Sequence, residues 1–190
     1  GRAEVEIRAA IRASAAGREE ARSLAEAIRV VVEPMPGGVA VRTEYPGGNW
    51  TNRSYGVNLE VTMPEKAVLE LRNRFGPTSV NGLRAGGAVR CQNGAIRMAD
   101  TSGTWTVEDA FGQVTVTGNE GRMTIGAQNG AVAVRNINGL TEITNRFGAV
   151  TAHNGTGGLT VRANNGAVTA ANIQGAVTVS SRFGAVKVTN

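Results

Sequence analysis

Cysteine and histidine each occur once in this 190-residue chain, as Cys91 and His153. A single cysteine excludes an internal disulfide and a cysteine-based zinc site. A single histidine excludes a His-rich metal site and any mechanism that needs two imidazoles. Aromatic residues are scarce, with four Phe, two Trp and two Tyr. Base-stacking platforms are therefore few, and nucleic acid is not an expected partner. No apolar run exceeds a few residues, so no transmembrane helix is expected. Lysine is nearly absent: of 20 basic residues, only Lys66 and Lys187 are not Arg. The net charge of +5 permits contact with phosphate or sulfate. The arginines are spread from Arg2 to Arg182 without a basic run, however, and read as solvated surface. The chain opens on Gly1 rather than Met, without a signal-peptide pattern, which is compatible with a leader removed upstream.

Glycine is the residue in excess. There are 26, about twice ordinary usage. Eleven of them fall at an unbroken spacing of nine, from Gly94 through Gly103, Gly112, Gly121, Gly130, Gly139, Gly148, Gly157, Gly166 and Gly175 to Gly184. Cutting after each gives units such as QVTVTGNEG (113–121), AVAVRNING (131–139) and AVTVSSRFG (176–184). The pattern reaches back to VLELRNRFG (68–76) and forward to AVKVTN (185–190). Such a repeat decides the fold before any local reading.

Within each unit the second and fourth positions are apolar, as in Val114 and Val116 or Val132 and Val134. Of 28 such positions between Leu69 and Val188, only Thr78, Gly87 and Thr141 depart. Alternation with period two marks a half-buried strand. Positions six to nine carry Asn, Ser and Gly, the residues of turns. Each unit is predicted to be one short strand and one tight turn. Such a strand buries its face only by stacking. The predicted fold class is all-β: a parallel β-solenoid of nonapeptide units over 68–190, with 18 residues per coil and two sheets. About seven coils would span roughly 30 Å.

A second period runs through the first. Phe75, Phe111, Phe147 and Phe183 lie 36 apart, each just before Gly76, Gly112, Gly148 or Gly184. Asn93, Asn129 and Asn165 fall midway, before Gly94, Gly130 and Gly166. An 18-residue coil alternates Phe and Asn up one edge. The rings are then expected to close that end of the narrow core, and the Asn amides to bond to neighbouring turns. A 36-residue coil of four strands would stack Phe on Phe and is the alternative.

Residues 1–67 lack the repeat and are predicted to form a strand–helix–strand cap. Val5 and Ile7 begin a strand. Residues 18–31 place Ala21, Leu24, Ala25, Ile28 and Val31 on one helical face. Pro34, Pro36, Gly37 and Gly38 break the chain. Val39 and Val41 start a strand, Pro46 to Asn49 form a loop, and Val57, Leu59 and Val61 alternate again. No equivalent cap is visible near Asn190, so an uncapped last coil is expected.

The Asn-Gly-Ala-Val units at 129–132 and 165–168, the Phe-Gly-Ala-Val units at 147–150 and 183–186, and the strand–helix–strand lead-in resemble bacterial adhesin-like β-strand-repeat domains of unknown function. The resemblance covers nearly the whole chain. It implies a non-enzymatic protein of the bacterial envelope, or otherwise extracytoplasmic, with no catalytic residues and no cofactor. A cytoplasmic location is the alternative. The family's commoner Asn-Gly-Asp is here Asn-Gly-Ala, which removes an acidic ladder, and the Arg-Phe-Gly units are not the commonest form.

Candidate sites follow from the repeat. Calcium-binding β-rolls need Asp in every turn, and here only Asp100 and Asp109 fall in predicted turns, so no metal site is expected. Ala95, Ala131, Ala149, Ala167 and Ala185, with Thr115, Ala133, Thr151 and Thr169, make a plain Ala/Thr face suited to packing against a partner. Arg97, Arg135, His153 and Lys187 interrupt it, which argues against ice binding. Arg74, Arg146 and Arg182 precede Phe and form a candidate basic edge for acidic polysaccharide. Asn136, Asn154 and Asn172 are predicted to stack as a structural ladder. Cys91 reads as an idle thiol in a turn without a partner. Asn49-Trp50-Thr51, Asn52-Arg53-Ser54 and Asn154-Gly155-Thr156 match glycosylation acceptors, which are coincidental in a bacterial chain. Trp50 and Tyr55 are placed in a loop. No serine or paired carboxylates accompany His153 in a catalytic pattern, and Glu108, Glu120 and Glu142 are not expected to meet. The functional expectation is an adhesin-like or scaffold solenoid for a protein or cell-surface partner. The alternatives are a self-assembling filament, by head-to-tail or lateral packing, and a carbohydrate-binding or carbohydrate-processing β-helix.

Overall fold

The computed structural model describes residues 4–47 and 53–190. Its contacts divide the chain into two units, Gly1–Pro64 and Glu65–Asn190. Asn49, Trp50 and Thr51, and Asn52 of the second acceptor triplet, lie outside the described residues.

In the first unit β1 (Glu6–Ser14) is followed by α1 (Arg18–Ala27), β2 (Arg29–Met35), β3 (Gly38–Glu44) and β4 (Ser54–Thr62). β1 pairs antiparallel with β4, and β2 with β3. The helix stops at Ala27, four residues before the predicted end. Val30, Val31 and Val32 are β-branched and favour the extended chain, and they belong to β2. Leu24 and Ile28 are the buried apolar residues of the helical face. Pro34 does not break the strand but pairs with Val39, as proline can in a two-stranded edge. Tyr55 lies in β4 rather than a loop, its ring 4.7 Å from that of Tyr45.

The second unit is a parallel β-solenoid of about seven coils with 18 residues per coil. One sheet holds β5 (Leu69–Phe75), β7 (Gly87–Asn93), β9 (Trp105–Phe111), β11 (Met123–Asn129), β13 (Thr141–Phe147), β15 (Leu159–Asn165) and β17 (Val177–Phe183). The other holds β6 (Thr78–Asn81), β8 (Ile96–Ser102), β10 (Val114–Glu120), β12 (Val132–Asn138), β14 (Val150–Thr156), β16 (Val168–Gln174) and β18 (Val186–Thr189). Each residue pairs with the one 18 places on, as Val114 does with Val132 and Val132 with Val150. This settles the coil length against 36.

The strands are longer than the sequence pattern suggested. Most run seven residues, from the second to the eighth position of a unit. Only the ninth and the following first position turn the corner. Each strand therefore has a third inward residue besides the two apolar ones, and the two sheets choose it differently. In the β9 sheet the sixth position points inward, burying Cys91, Asp109, Ala127 and Asn145. In the β10 sheet the sixth position is left-handed, with φ of 50° at Asp100, 69° at Gly118 and 55° at Asn136. Gly, Asn and Asp enter that region at least cost. The local bulge reverses the alternation, and the seventh position, Asn119 or Ile137, becomes the buried one. The Asn ladder sits on these bulges. Asn154 Nδ2 donates to Asn136 Oδ1 at 3.3 Å, and Asn172 Nδ2 to Asn154 Oδ1 at 3.1 Å.

The interior is mainly Val, Ile and Met, yet Trp105 is its largest fully buried side chain. Its indole Nε1 donates to the Ser102 carbonyl at 3.0 Å. Gly87, one rung away, offsets the bulk. A large side chain beside a small one keeps the layer filled. Val186 and Val188 remain half-exposed because β18 has one strand neighbour, β16.

Candidate functional site

One corner of the solenoid gathers most of the residues that the repeat singles out. At the end of each β9-type strand the eighth position, the ninth-position Gly and the next first position follow one another round the bend. Strand pairing stacks Phe75 on Asn93, Asn93 on Phe111, Phe111 on Asn129, Asn129 on Phe147, Phe147 on Asn165 and Asn165 on Phe183. Phe and Asn thus alternate up the edge. Beside them run the Gly column, from Gly76, Gly94 and Gly112 through Gly130, Gly148 and Gly166 to Gly184, and an Ala column of Ala95, Ala131, Ala149, Ala167 and Ala185.

The rings do not close the core. Phe75, Phe111, Phe147 and Phe183 are 74%, 57%, 49% and 62% exposed. The space inside the corner is taken by the sixth-position side chains. Asn145 Nδ2 donates to the Gly130 carbonyl at 3.1 Å and to the Gly148 carbonyl at 2.9 Å. Asn73 Nδ2 donates to the Gly76 carbonyl at 3.0 Å. These amides occupy the inside of the corner at the Phe75 and Phe147 rungs and bond its carbonyls. The edge Asn residues are pinned as expected, with Asn93 Nδ2 on the Arg74 carbonyl at 3.4 Å and Asn129 Nδ2 on the Ala110 carbonyl at 3.3 Å.

The Ala/Thr face divides in two. Thr115, Ala133, Thr151 and Thr169 form an unbroken outward column on the β10 sheet. It is bounded by Arg97 and Lys187, with Arg135 and His153 in the neighbouring column. The first-position alanines belong instead to the corner with the Phe rings. Arg74, Arg146 and Arg182 are exposed on the outer side of the same corner. They stand four and two rungs apart, about 19 and 10 Å, with Gln92, Ala110, Gln128 and Asn164 at the intervening rungs. They are separate charges rather than a continuous basic strip.

The carboxylates stay apart. Glu108 forms a surface ladder with Arg90 and Glu70, at 2.9 Å and 3.6 Å. Glu142 lies 3.6 Å from Arg122, and Glu120 ends β10 on the other sheet. Among the described residues, no group of three His, Cys, Asp or Glu side chains could hold a metal ion. A cavity of about 20 Å³ lies beside Gly155 and Thr141, the size of one water rather than of a ligand.

Two inward residues were misplaced by the turn reading. Cys91 lies in β7, buried, with its thiol 3.2 Å from Thr78 Oγ1. Burial raises its pKa above the ordinary thiol value, the Thr78 hydroxyl acts against this, and the nearby Asp109 charge adds to it. Asp109 lies one rung away in β9, 3% exposed, with neither carboxylate oxygen hydrogen-bonded. Burial pushes its pKa up to about 6, and the Ala110 amide, near the carboxylate but outside hydrogen-bond geometry, offsets only part of this. It occupies the position from which Asn73 and Asn145 donate to corner carbonyls, and an ionised carboxylate has no proton to donate. The signal for this column was an 18-residue, not a nine-residue, comparison of sixth positions.

Asp109→Asn is therefore expected to stabilise the solenoid. A raised folded-state pKa means that the native state holds the proton more tightly than the unfolded chain. The Asp109 contribution is fully present below about pH 4 and is lost as pH rises through about 6. The loss is on the order of 3 kcal/mol. The variant should gain about 2–3 kcal/mol at pH 7 and little at pH 4. Urea denaturation at both values measures this, and an equal effect at the two pH values would contradict the assignment.

Comparison with protein-family models, with curated proteins and with solved structures finds no match to this chain.

Proposed function

We propose that the chain is a non-enzymatic interaction scaffold whose contact surface is the Phe/Asn corner of the solenoid. The observation that carries this is the exposure of four phenylalanines at every second rung of one rigid edge. Contiguous exposed apolar surface is uncommon on soluble proteins and marks interaction sites. Here the backbone under the rings is hydrogen-bonded from coil to coil, with Gly112 N donating to the Asn129 carbonyl and Gly130 N to the Phe147 carbonyl. The edge is thus pre-formed, and ordering it on binding costs little. The resemblance to adhesin-like repeat domains supports an envelope location and a protein or cell-surface partner.

Site-specific photo-crosslinking in the producing cells tests the reading. A benzophenone amino acid in place of Phe111 or Phe147 should give a discrete adduct. The same probe at Thr178, exposed on the outer face of the β9 sheet, should give none. Adducts absent from both edge positions would overturn the proposal. Because the rings are half or more exposed, Phe111→Ser and Phe147→Ser should each cost about 1 kcal/mol of stability or less, so loss of the adduct is not loss of the fold.

A further inference from the structure

We infer that the partner of this edge is a second copy of the chain, paired antiparallel so that the rings of one copy seat on the Asn rungs of the other. The inference rests on the corner being a contact surface, and it names the occupant.

The spacing carries it first. Phe recurs at every second rung, about 9.6 Å apart, with a flat Asn rung between. A rigid partner must repeat this interval to meet several rings at once. A second copy does so by identity. A two-fold axis perpendicular to the solenoid axis, offset by half a rung, places Phe111, Phe147 and Phe183 on Asn165, Asn129 and Asn93 of the second copy. Two of those amides, Asn93 and Asn129, are already fixed by bonds to backbone carbonyls, so the rings of Phe183 and Phe147 meet an immobile planar group.

Area and charge agree. The three rings seated in this register, Phe111, Phe147 and Phe183, together expose roughly 340 Å² at about 200 Å² per Phe, taken over the exposures given above. The adjoining Ala and Gly columns add to this. A stable interface needs about 800 Å² per partner, and the rings supply roughly two fifths of it. On the outer flank the half-rung offset sets Arg146 opposite Gln128 and Arg182 opposite Gln92, and no Arg faces an Arg. A parallel pairing about an axis along the solenoid would instead set Phe against Phe at every second rung. The antiparallel contact is self-complementary and closes at two copies.

Sedimentation equilibrium of the full chain tests this, with thermal melts as the control for folding. The wild-type chain should be a dimer that tightens as salt is raised, since the contact is apolar and each copy carries +5. Phe147→Asn should weaken pairing about tenfold to a hundredfold, because it sets Asn on Asn twice in one dimer. Asn129→Phe should weaken it too, by setting Phe on Phe. The double variant Phe147→Asn with Asn129→Phe should restore the dimer, since ring and gap have merely changed places. A wild-type monomer at every concentration, or no rescue in the double variant, would overturn the inference. A monomer whose Phe111 probe still crosslinks a different protein in cells overturns self-pairing and leaves the edge as a contact surface.

Discussion

Replacing Val132 and Val134 together by Asp is expected to unfold the solenoid, whereas the same change at Ala131 and Ala133 is expected to leave it folded. Val132 and Val134 are 1% and 3% exposed and lie between β10 and β14 in the middle of their sheet. Each loses about 1.5–3 kcal/mol of apolar burial. Each also brings a carboxylate into an interior with no cation to meet it, a penalty of several kcal/mol per charge. The sum is comparable to the whole stability of a typical domain, about 5–15 kcal/mol. Ala131 is exposed at the corner and Ala133 points outward from the sheet, so Asp there meets water. Circular dichroism and thermal melts distinguish the pairs. Comparable loss from both would show that the strand faces are assigned the wrong way round.

The parts of this fold legible in the sequence are those governed by one rule repeated from unit to unit, with departures only at Thr78, Gly87 and Thr141. The second and fourth positions are inward in every unit, so strand existence, the two-sheet coil and the 18-residue period follow from hydrophobic alternation and glycine spacing. What escaped notice depends on a difference between odd and even units. A left-handed Asn136 or Gly118 moves the third inward residue to Ile137 or Asn119, while the next unit, without that bulge, buries Asn145 or Ala127. A nine-residue alignment averages the two and reads both as turns. The Phe rings were misassigned for a related reason. Apolar character predicts burial, but the corner interior is already filled by amides bonded to the Gly76 and Gly148 carbonyls. The candidate edge was thus legible as a spacing and not as a surface. The helix ends at Ala27 although Val31 continues the helical apolar pattern, because the β-branched run of Val30, Val31 and Val32 favours the extended chain.

The second large effect is expected at a corner glycine that carries no side chain to lose. Gly139 has φ of +133°, where L residues are strained, and a Cβ built there would lie 2.3 Å from the Gly121 carbonyl oxygen and 2.8 Å from its carbon. Both are backbone atoms of the preceding coil, so no rotamer change relieves the contact. Gly139 N also donates to the Thr156 carbonyl on the following coil, which prevents the corner from moving away without breaking a rung. Gly139→Ala should therefore cost at least about 3 kcal/mol, from strain and from the widened rung. For a chain of this length that lowers Tm by roughly 10 °C. Gly126→Ala is the matched control. Gly126 lies within β11, and its built Cβ approaches nothing nearer than Glu108 Cγ at 3.9 Å. There the methyl group fits, and the smaller entropy of the unfolded chain should make the change neutral or stabilising by up to about 1 kcal/mol. Equal Tm values for the two variants would show that the corners are not the close backbone approaches described. A large loss at Gly139 with none at Gly126 would show that glycine makes this array rigid by letting one coil touch the next.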